Sequence, residues 1–364
     1  MRAGAFGLTD TPQFGQPTAD ASNDVSFGKI TGTIGGNRGA CMTFHVSRRE
    51  FLNGLGVMTA ATAFPPIPVN ASLNPPLYPP TDLSYFETPI TPAPADILFG
   101  YASITWGGND RQAIEDVAAL GFHGIQLRAN VLKEFGSAAE LRDLLEKHQL
   151  KMVALSSGGV RIDPALEAEE IAKHTAHAKF VHDVGGLYLQ VTDERPKDRA
   201  ITAADYKRLG QVITEIGKRT ADQGVSLGYH NHMGSLGERP EEVDQILQAT
   251  DPRYAKLELD VAHYFQGGGD PVKAIEKYSD RLLFLHIKDV EPVPGNADAK
   301  RPYRFVELGR GKVNLPAVFD ALHKVNFRGW AIVELDVVLD KARTPKESGA
   351  ISKKYLEEKL GVRI

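Results

Sequence analysis

Leu282-Leu-Phe-Leu-His286 is a run of four apolar residues that ends on an imidazole. Three more runs of the same kind follow or precede it: Val225-Ser-Leu-Gly-Tyr-His230, Lys256-Leu-Glu-Leu-Asp260 and Ala331-Ile-Val-Glu334. Strands of a parallel sheet are covered on both faces and read as short apolar stretches. A charged or metal-seeking residue in the last position is therefore not explained by packing. Outward from these four, further β-rich runs stand at residues 97–104, 124–127, 151–156 and 187–191. Segments with helical spacing separate them, at 111–120, 137–148, 167–184, 203–223, 240–249, 271–278, 315–325 and 345–359. Several open on an N-cap residue or an early proline: Asp110, Ser137, Asp270-Pro271 and Asn314.

Eight strands alternating with eight helices predict a single (β/α)₈ TIM barrel over residues 96–364. An open, doubly wound sheet would want a glycine-rich phosphate loop after its first strand, and Tyr101-Ala-Ser-Ile-Thr-Trp-Gly-Gly108 is not that fingerprint. In a barrel of this kind the C-terminal strand ends form the rim where active sites are built. The longest connection, residues 289–313, leaves the strand that ends in His286. It holds Arg301, Tyr303, Arg304, Glu307 and a Gly309-Arg-Gly311 turn, and reads as a cover for a polar substrate.

The totals narrow the function classes. A formal net charge of −4 over 364 residues leaves no basic footprint for nucleic acid. No apolar run is long enough for a membrane span, so no stable membrane anchor is expected. Cys41 is the single cysteine, which excludes an intrachain disulfide framework and a cysteine-rich metal site. Any metal must be held by His, Asp and Glu.

The N-terminal part reads as an address. Ser47-Arg-Arg-Glu-Phe-Leu52 matches the twin-arginine export pattern, followed by a weakly apolar stretch over 51–64 and a small-residue cleavage site, Val69-Asn-Ala71. Residues 1–71 are thus expected to be a leader and Tat signal peptide, with Met42 as an alternative start, and 72–95 an extended lead-in. The implied location is the periplasm, reached with the Tat translocase.

Each rim residue has a plainer reading. His230 and His232 of Tyr229-His-Asn-His232 would serve as hydrogen-bonded scaffolding, Asp260 as a helix N-cap, and Glu334 as the partner of a neighbouring lysine. Their occurrence at the same end of four consecutive strands favours a divalent metal site of His230, Asp260, His286 and Glu334. Mixed imidazole and carboxylate ligands suit Mn²⁺, Co²⁺, Fe²⁺ or Zn²⁺.

The motifs Tyr229-His-Asn-His232, Leu259-Asp-Val-Ala-His263, Phe284-Leu-His-Ile-Lys-Asp289, Leu308-Gly-Arg-Gly311 and Trp330-Ala-Ile-Val-Glu334 resemble the xylose isomerase-like TIM-barrel superfamily of sugar isomerases, epimerases and inosose dehydratases. The resemblance implies metal ligands at the ends of strands five to eight, which here are His230, Asp260, His286 and Glu334. Ketose 3-epimerases of that superfamily carry glutamate at the fifth-strand position. This chain has His230 there, as the inosose dehydratase-like branch does. The resemblance also implies a homo-oligomer.

The residues support enediolate chemistry on a keto sugar or cyclitol, with the metal as Lewis acid. Glu334 is the first candidate base, His232 and His263 are the alternatives, and Lys288 would stabilise the enediolate. Trp106, Arg128, Gln190 and Arg310 are candidates to line the sugar pocket. The expectation is a metal-dependent sugar isomerase/epimerase. An inosose dehydratase-like enzyme or 3-keto-glycoside lyase on the same site is the alternative, and a non-catalytic sugar-binding protein a more distant one.

Overall fold

Eight parallel strands close a barrel: β1 (Ile97–Ala102), β2 (Gly124–Arg128), β3 (Lys151–Val160), β4 (Tyr188–Asp193), β5 (Ser226–His230), β6 (Ala255–Asp260), β7 (Leu282–Ile287) and β8 (Gly329–Val333). Each pairs with its neighbour in chain order, and β8 returns to β1. The computed structural model describes residues 97–293 and 302–364, together with the short antiparallel pair Gln13–Phe14 and Thr33–Ile34. The chain divides into two units, Met1–Thr88 and Pro89–Ile364, and the barrel belongs to the second. The predicted signal peptide, Met42 and Arg301 lie outside the described residues.

The predicted helices form between the strands, including Glu167–Val184, Ala203–Asp222, Pro240–Ala249 and Pro345–Leu360. Ser137, Asp270 and Asn314 accept backbone N–H bonds at their helix starts, as their residue types require. The first helix, Asp110–Ala119, is capped instead by Asn109, one residue earlier than the sequence suggests. The apolar strand faces that point outward pack against the helices. Inside, Phe284, Trp330 and Ile332 fill the N-terminal end of the barrel, with Tyr188 stacked 5.2 Å from Phe284. That plug demands glycine at 124, where a Cβ would stand 2.5 Å from the Trp330 ring.

Differences from the expected strands have local causes. β8 occupies 329–333 rather than 331–335 because Trp330 and Ile332 both turn into the plug. Glu334 follows it directly, its N–H still bonded to the Ile287 carbonyl at 3.2 Å. The connection after β7 is an antiparallel hairpin of Asp289–Pro292 with Tyr303–Val306. The buried Asp289 carboxylate accepts N–H bonds from Val290, Gly309, Gly311 and Val313, and so ties the glycine turn back to the strand end. Among the described residues no helix is long and apolar enough to cross a membrane.

Candidate metal centre and active site

Strand period sets what enters the barrel. Residues two apart share a face, so Glu258 and Asp260 of β6, Phe284 and His286 of β7, and Ile332 and Glu334 after β8 point inward together. At the rim this brings ligand atoms of His230, Asp260 and His286 within 4.8 Å of one another, all three side chains buried. His230, His232 and His263 form a second such group that shares His230.

Asp260 holds both of its possible roles at once. Its Oδ1 caps the short helix Val261–Gln266, accepting from the N–H groups of Ala262 and His263 at 2.8 Å each. Its Oδ2 is buried with no hydrogen-bond donor, and so are His286 Nδ1 and His230 Nδ1. His286 Nδ1 stands 3.6 Å from Asp260 Oδ2 and 3.5 Å from Glu334 Oε1. Ligands bound about 2.1 Å from one ion lie about 3.0–3.4 Å apart, whereas hydrogen bonds are shorter. A carboxylate oxygen and ring nitrogens that converge in a buried site without hydrogen-bond partners, each able to present a lone pair, fit a divalent ion, and the donor set fits the harder transition metals and zinc.

Lys288, two residues beyond His286, is fully buried. Its ammonium donates to Glu334 Oε1 at 2.7 Å and to Asp336, and stands 3.9 Å from Asp260 Oδ2. Phe305 of the hairpin lies beneath it, ring centre 4.0 Å from Nζ. Burial pushes the lysine pKa down, but Glu334, Asp336 and Asp260 outweigh it, so the ammonium is held charged. Burial likewise raises Glu334, yet His286 and Lys288 dominate and hold it at about 2. The plainer reading of Glu334 as a lysine partner is therefore what the described geometry contains, with His286 on its other side.

The two flanking imidazoles differ in tautomer. His232 Nδ1 donates to the Met233 carbonyl at 2.7 Å, which leaves Nε2 with its lone pair. His263 Nδ1 accepts the Met233 N–H at 3.1 Å, so in its neutral form the hydrogen is on Nε2. Burial, with Lys288 next in importance, keeps His263 neutral. The rings stack with centroids 3.9 Å apart.

The other candidates separate. A cavity of about 510 Å³ opens at the ends of β2 and β3, lined by Arg128, Asn130, Ser156, Ser157 and the backbone at Gly107 and Gly108. Gln190 is buried in the barrel with Oε1 unpartnered. Trp106 is buried against Tyr101, and its N–H donates to Asp116 at 2.9 Å. Arg310 pairs with Glu307 at 3.4 Å. Sequence reasoning missed Glu258, Phe305 and Gln126, whose Oε1 meets His286 Nε2 at 2.9 Å from across the barrel.

A closed (β/α)₈ barrel that gathers buried His and Asp side chains able to hold a metal ion at its C-terminal rim has its candidate site where enzymes of this fold build theirs. Residues 114–354 match the family model of the xylose isomerase-like TIM barrel, and the chain belongs to that family. Inosose dehydratase of Lacticaseibacillus casei is 25% identical over 298 residues, covering 73% of this chain and 98% of that protein. An IOLI protein solved with a bound zinc atom superposes with a TM-score of 0.62 at 19% identity, over 72% of this chain and 97% of its own. D-allulose 3-epimerase from Methylomonas sp., solved with D-allulose, gives 0.59 at 18% identity over 73% and 98%.

Proposed function

We propose that this protein is an exported, divalent-metal-dependent carbon–oxygen lyase that dehydrates a keto cyclitol or keto sugar of the inosose type. The sequence alone placed isomerisation and epimerisation ahead of dehydration. The similarity to inosose dehydratase along almost the whole length of that enzyme supports the reverse order. So does an imidazole, His230, at the fifth-strand position. The export reading rests on Ser47-Arg-Arg-Glu-Phe-Leu52.

His230, Asp260 and His286 would hold the ion, with Glu334 completing the set. A bound ion supplies Lewis acidity toward the substrate carbonyl and its neighbouring hydroxyl. The observation that carries the rest is the fully buried Lys288 ammonium beside these ligands. It faces the enolate oxygen that gains charge when the neighbouring carbon loses its proton, in a site where water does not screen it. Glu334 is engaged by that ammonium and acidified, so it is a weak base. His232 Nε2, with a free lone pair and a half-buried ring, takes the proton from carbon instead. Returned from His232 to the departing β-hydroxyl, the same proton leaves with it as water, and the carbon–carbon double bond forms.

The test is NMR in D₂O on metal-loaded protein with inosose, free ketoses and 3-keto glycosides. Loss of water from inosose, with one deuterium entering at the carbon that gave up the hydroxyl when the enol product ketonises, both abolished in His232→Gln and in chelator-treated protein, is the expected result. Exchange without water loss would return the enzyme to the isomerase/epimerase reading. The absence of both water loss and exchange on every substrate, with metal bound, would remove the enolate mechanism.

A further inference from the structure

Strands β2, β3 and β4 repeat one pattern near their ends: Gln126-Leu-Arg128, Ala154-Leu-Ser156 and Tyr188-Leu-Gln190. The triplets lie in register across the sheet, Leu127 beside Leu155 beside Leu189, and Arg128 beside Ser156 beside Gln190. The leucines are fully buried in the main core of the barrel and its helices. Alternation then turns their neighbours inward. Gln126 reaches His286 across the barrel, and Ala154 and Tyr188 belong to the inner plug. Arg128, Ser156 and Gln190 are the inward residues of the next layer up.

Strands of a closed barrel are tilted, so a row that follows the register runs obliquely to the axis. This one descends from the mouth: Arg128 is exposed, Ser156 half-buried and Gln190 buried. Its next member is Gly228 of β5, which adds no side chain. Gln190 Oε1 is buried without a hydrogen-bond partner, and among the described residues the Ser156 hydroxyl and the Arg128 guanidinium have none either. Arg161 and Arg195, just beyond the ends of β3 and β4, are by contrast each held by a glutamate. Asp110 accepts from Asn130 and makes no pair with Arg128. Unused bonding capacity along one row, beside the cavity of about 510 Å³ that Arg128 and Ser156 line, calls for a ligand. Two strand spacings of about 4.8 Å put the ends of the row about 10 Å apart at the backbone, a span that inward side chains shorten to the size of a six-carbon molecule.

The chemistry changes along the row. A guanidinium only donates, and its planar fork matches a pair of anionic oxygens; the Gln190 oxygen accepts from a hydroxyl. We infer that Arg128, Ser156 and Gln190 form a recognition row for a polyhydroxylated keto compound bearing an oxyanion, carboxylate or phosphate, which Arg128 holds at the mouth. The inference narrows the substrate class of the proposed lyase and rests on that reading.

The experiment is a series of ligand-detected NMR titrations of the full chain, chelator-treated so that no ligand is held by metal. The probes are D-fructose, 5-keto-D-gluconate and D-fructose 6-phosphate, which share a keto-sugar skeleton and differ in charge. At least one acidic probe is expected to bind about 10–100-fold more tightly than fructose, as a hydrogen bond to a charged group provides. Either oxyanion supports the inference, and the tighter of the two identifies it. Arg128→Gln should bring the acidic probes to the level of fructose, and Gln190→Met, which preserves size, should weaken all of them. Arg128 is exposed, so its replacement carries little folding risk. No acid preference in wild type, a preference that survives in Arg128→Gln, or unchanged binding in Gln190→Met would each overturn the inference. The same wild-type preparation, metal-loaded, is assayed for water loss from inosose. Water loss without acid preference would sink the recognition row alone. Acid preference with neither water loss nor exchange would remove the lyase reading and leave the row as a binding site.

Discussion

Lys288→Met keeps the aliphatic stem packed over Phe305 and deletes only the ammonium. At an effective dielectric of about 20, the attraction between Nζ and Glu334 at 2.7 Å is about 6 kcal/mol. Desolvation of the two ions cancels much of it in the intact pair, so the pair adds little net stability. Breaking it is different, because Glu334 and Asp260 are left buried beside Glu258 with no permanent cation among them except a protonated His286. Loss of one partner of such a pair costs about 3–5 kcal/mol. Asp336 is a quarter exposed and is rescued by water, so it adds little to that figure. Urea unfolding of metal-free Lys288→Met should therefore show a stability about 3–5 kcal/mol below wild type. A divalent ion at about a hundred times the wild-type dissociation constant stabilises wild type by about 2.7 kcal/mol, and the same concentration should stabilise the variant more, because the wild-type ammonium repels the ion and weakens its binding. A metal-free variant within about 1 kcal/mol of wild type would refute the claim that this lysine compensates the acidic cluster. Equal metal stabilisation of the two chains would refute the competition between lysine and ion.

Two further outcomes test other parts of the molecule. His177 meets the Ser157 hydroxyl at 2.7 Å, and burial, with His174 next, lowers its pKa from 6.5 to about 4. A depressed histidine adds stability that is full above about pH 6.5 and is lost as pH falls toward 4, so His177→Gln should flatten the urea midpoint between pH 7 and 5; a slope equal to wild type would contradict this. For export, replacement of both Arg48 and Arg49 by Lys should retain the protein in the cytoplasm on fractionation, and periplasmic arrival of that variant would exclude the twin-arginine route.

Much of the site was legible because rim residues fall at the ends of apolar runs. His230, Asp260, His286 and Glu334 could be placed without knowing any neighbour. The burial of Lys288 was not legible, since nothing in Ile287-Lys-Asp289 says that Phe305, seventeen residues later, will lie against it. Its complete burial is therefore a finding of the fold and not of the motif. Glu258 did carry a signal. In Leu257-Glu-Leu-Asp260 the period of two puts it on the face of Asp260, yet a single acidic residue inside a strand also reads as an outward surface charge. Trp106 was expected to line the sugar pocket, but the turn Ser103–Trp106 carries it past the end of β1 and swings its indole toward the helix partner Asp116, a rotation that spacing does not encode.

The hairpin of Asp289–Pro292 and Tyr303–Val306 stands outside the eight-fold repeat, yet its Phe305 forms one wall of the lysine's compartment. Every candidate ligand stands on a barrel strand or directly after one, so the proposed ion site and the wall that keeps it dry lie on different pieces of chain. An ancestor could exchange this insert for one of another length and admit a different substrate, or more water, without touching a coordinating residue. The two properties can thus diversify independently, and a graft of the insert alone is the economical way to ask which of them sets the reaction's outcome.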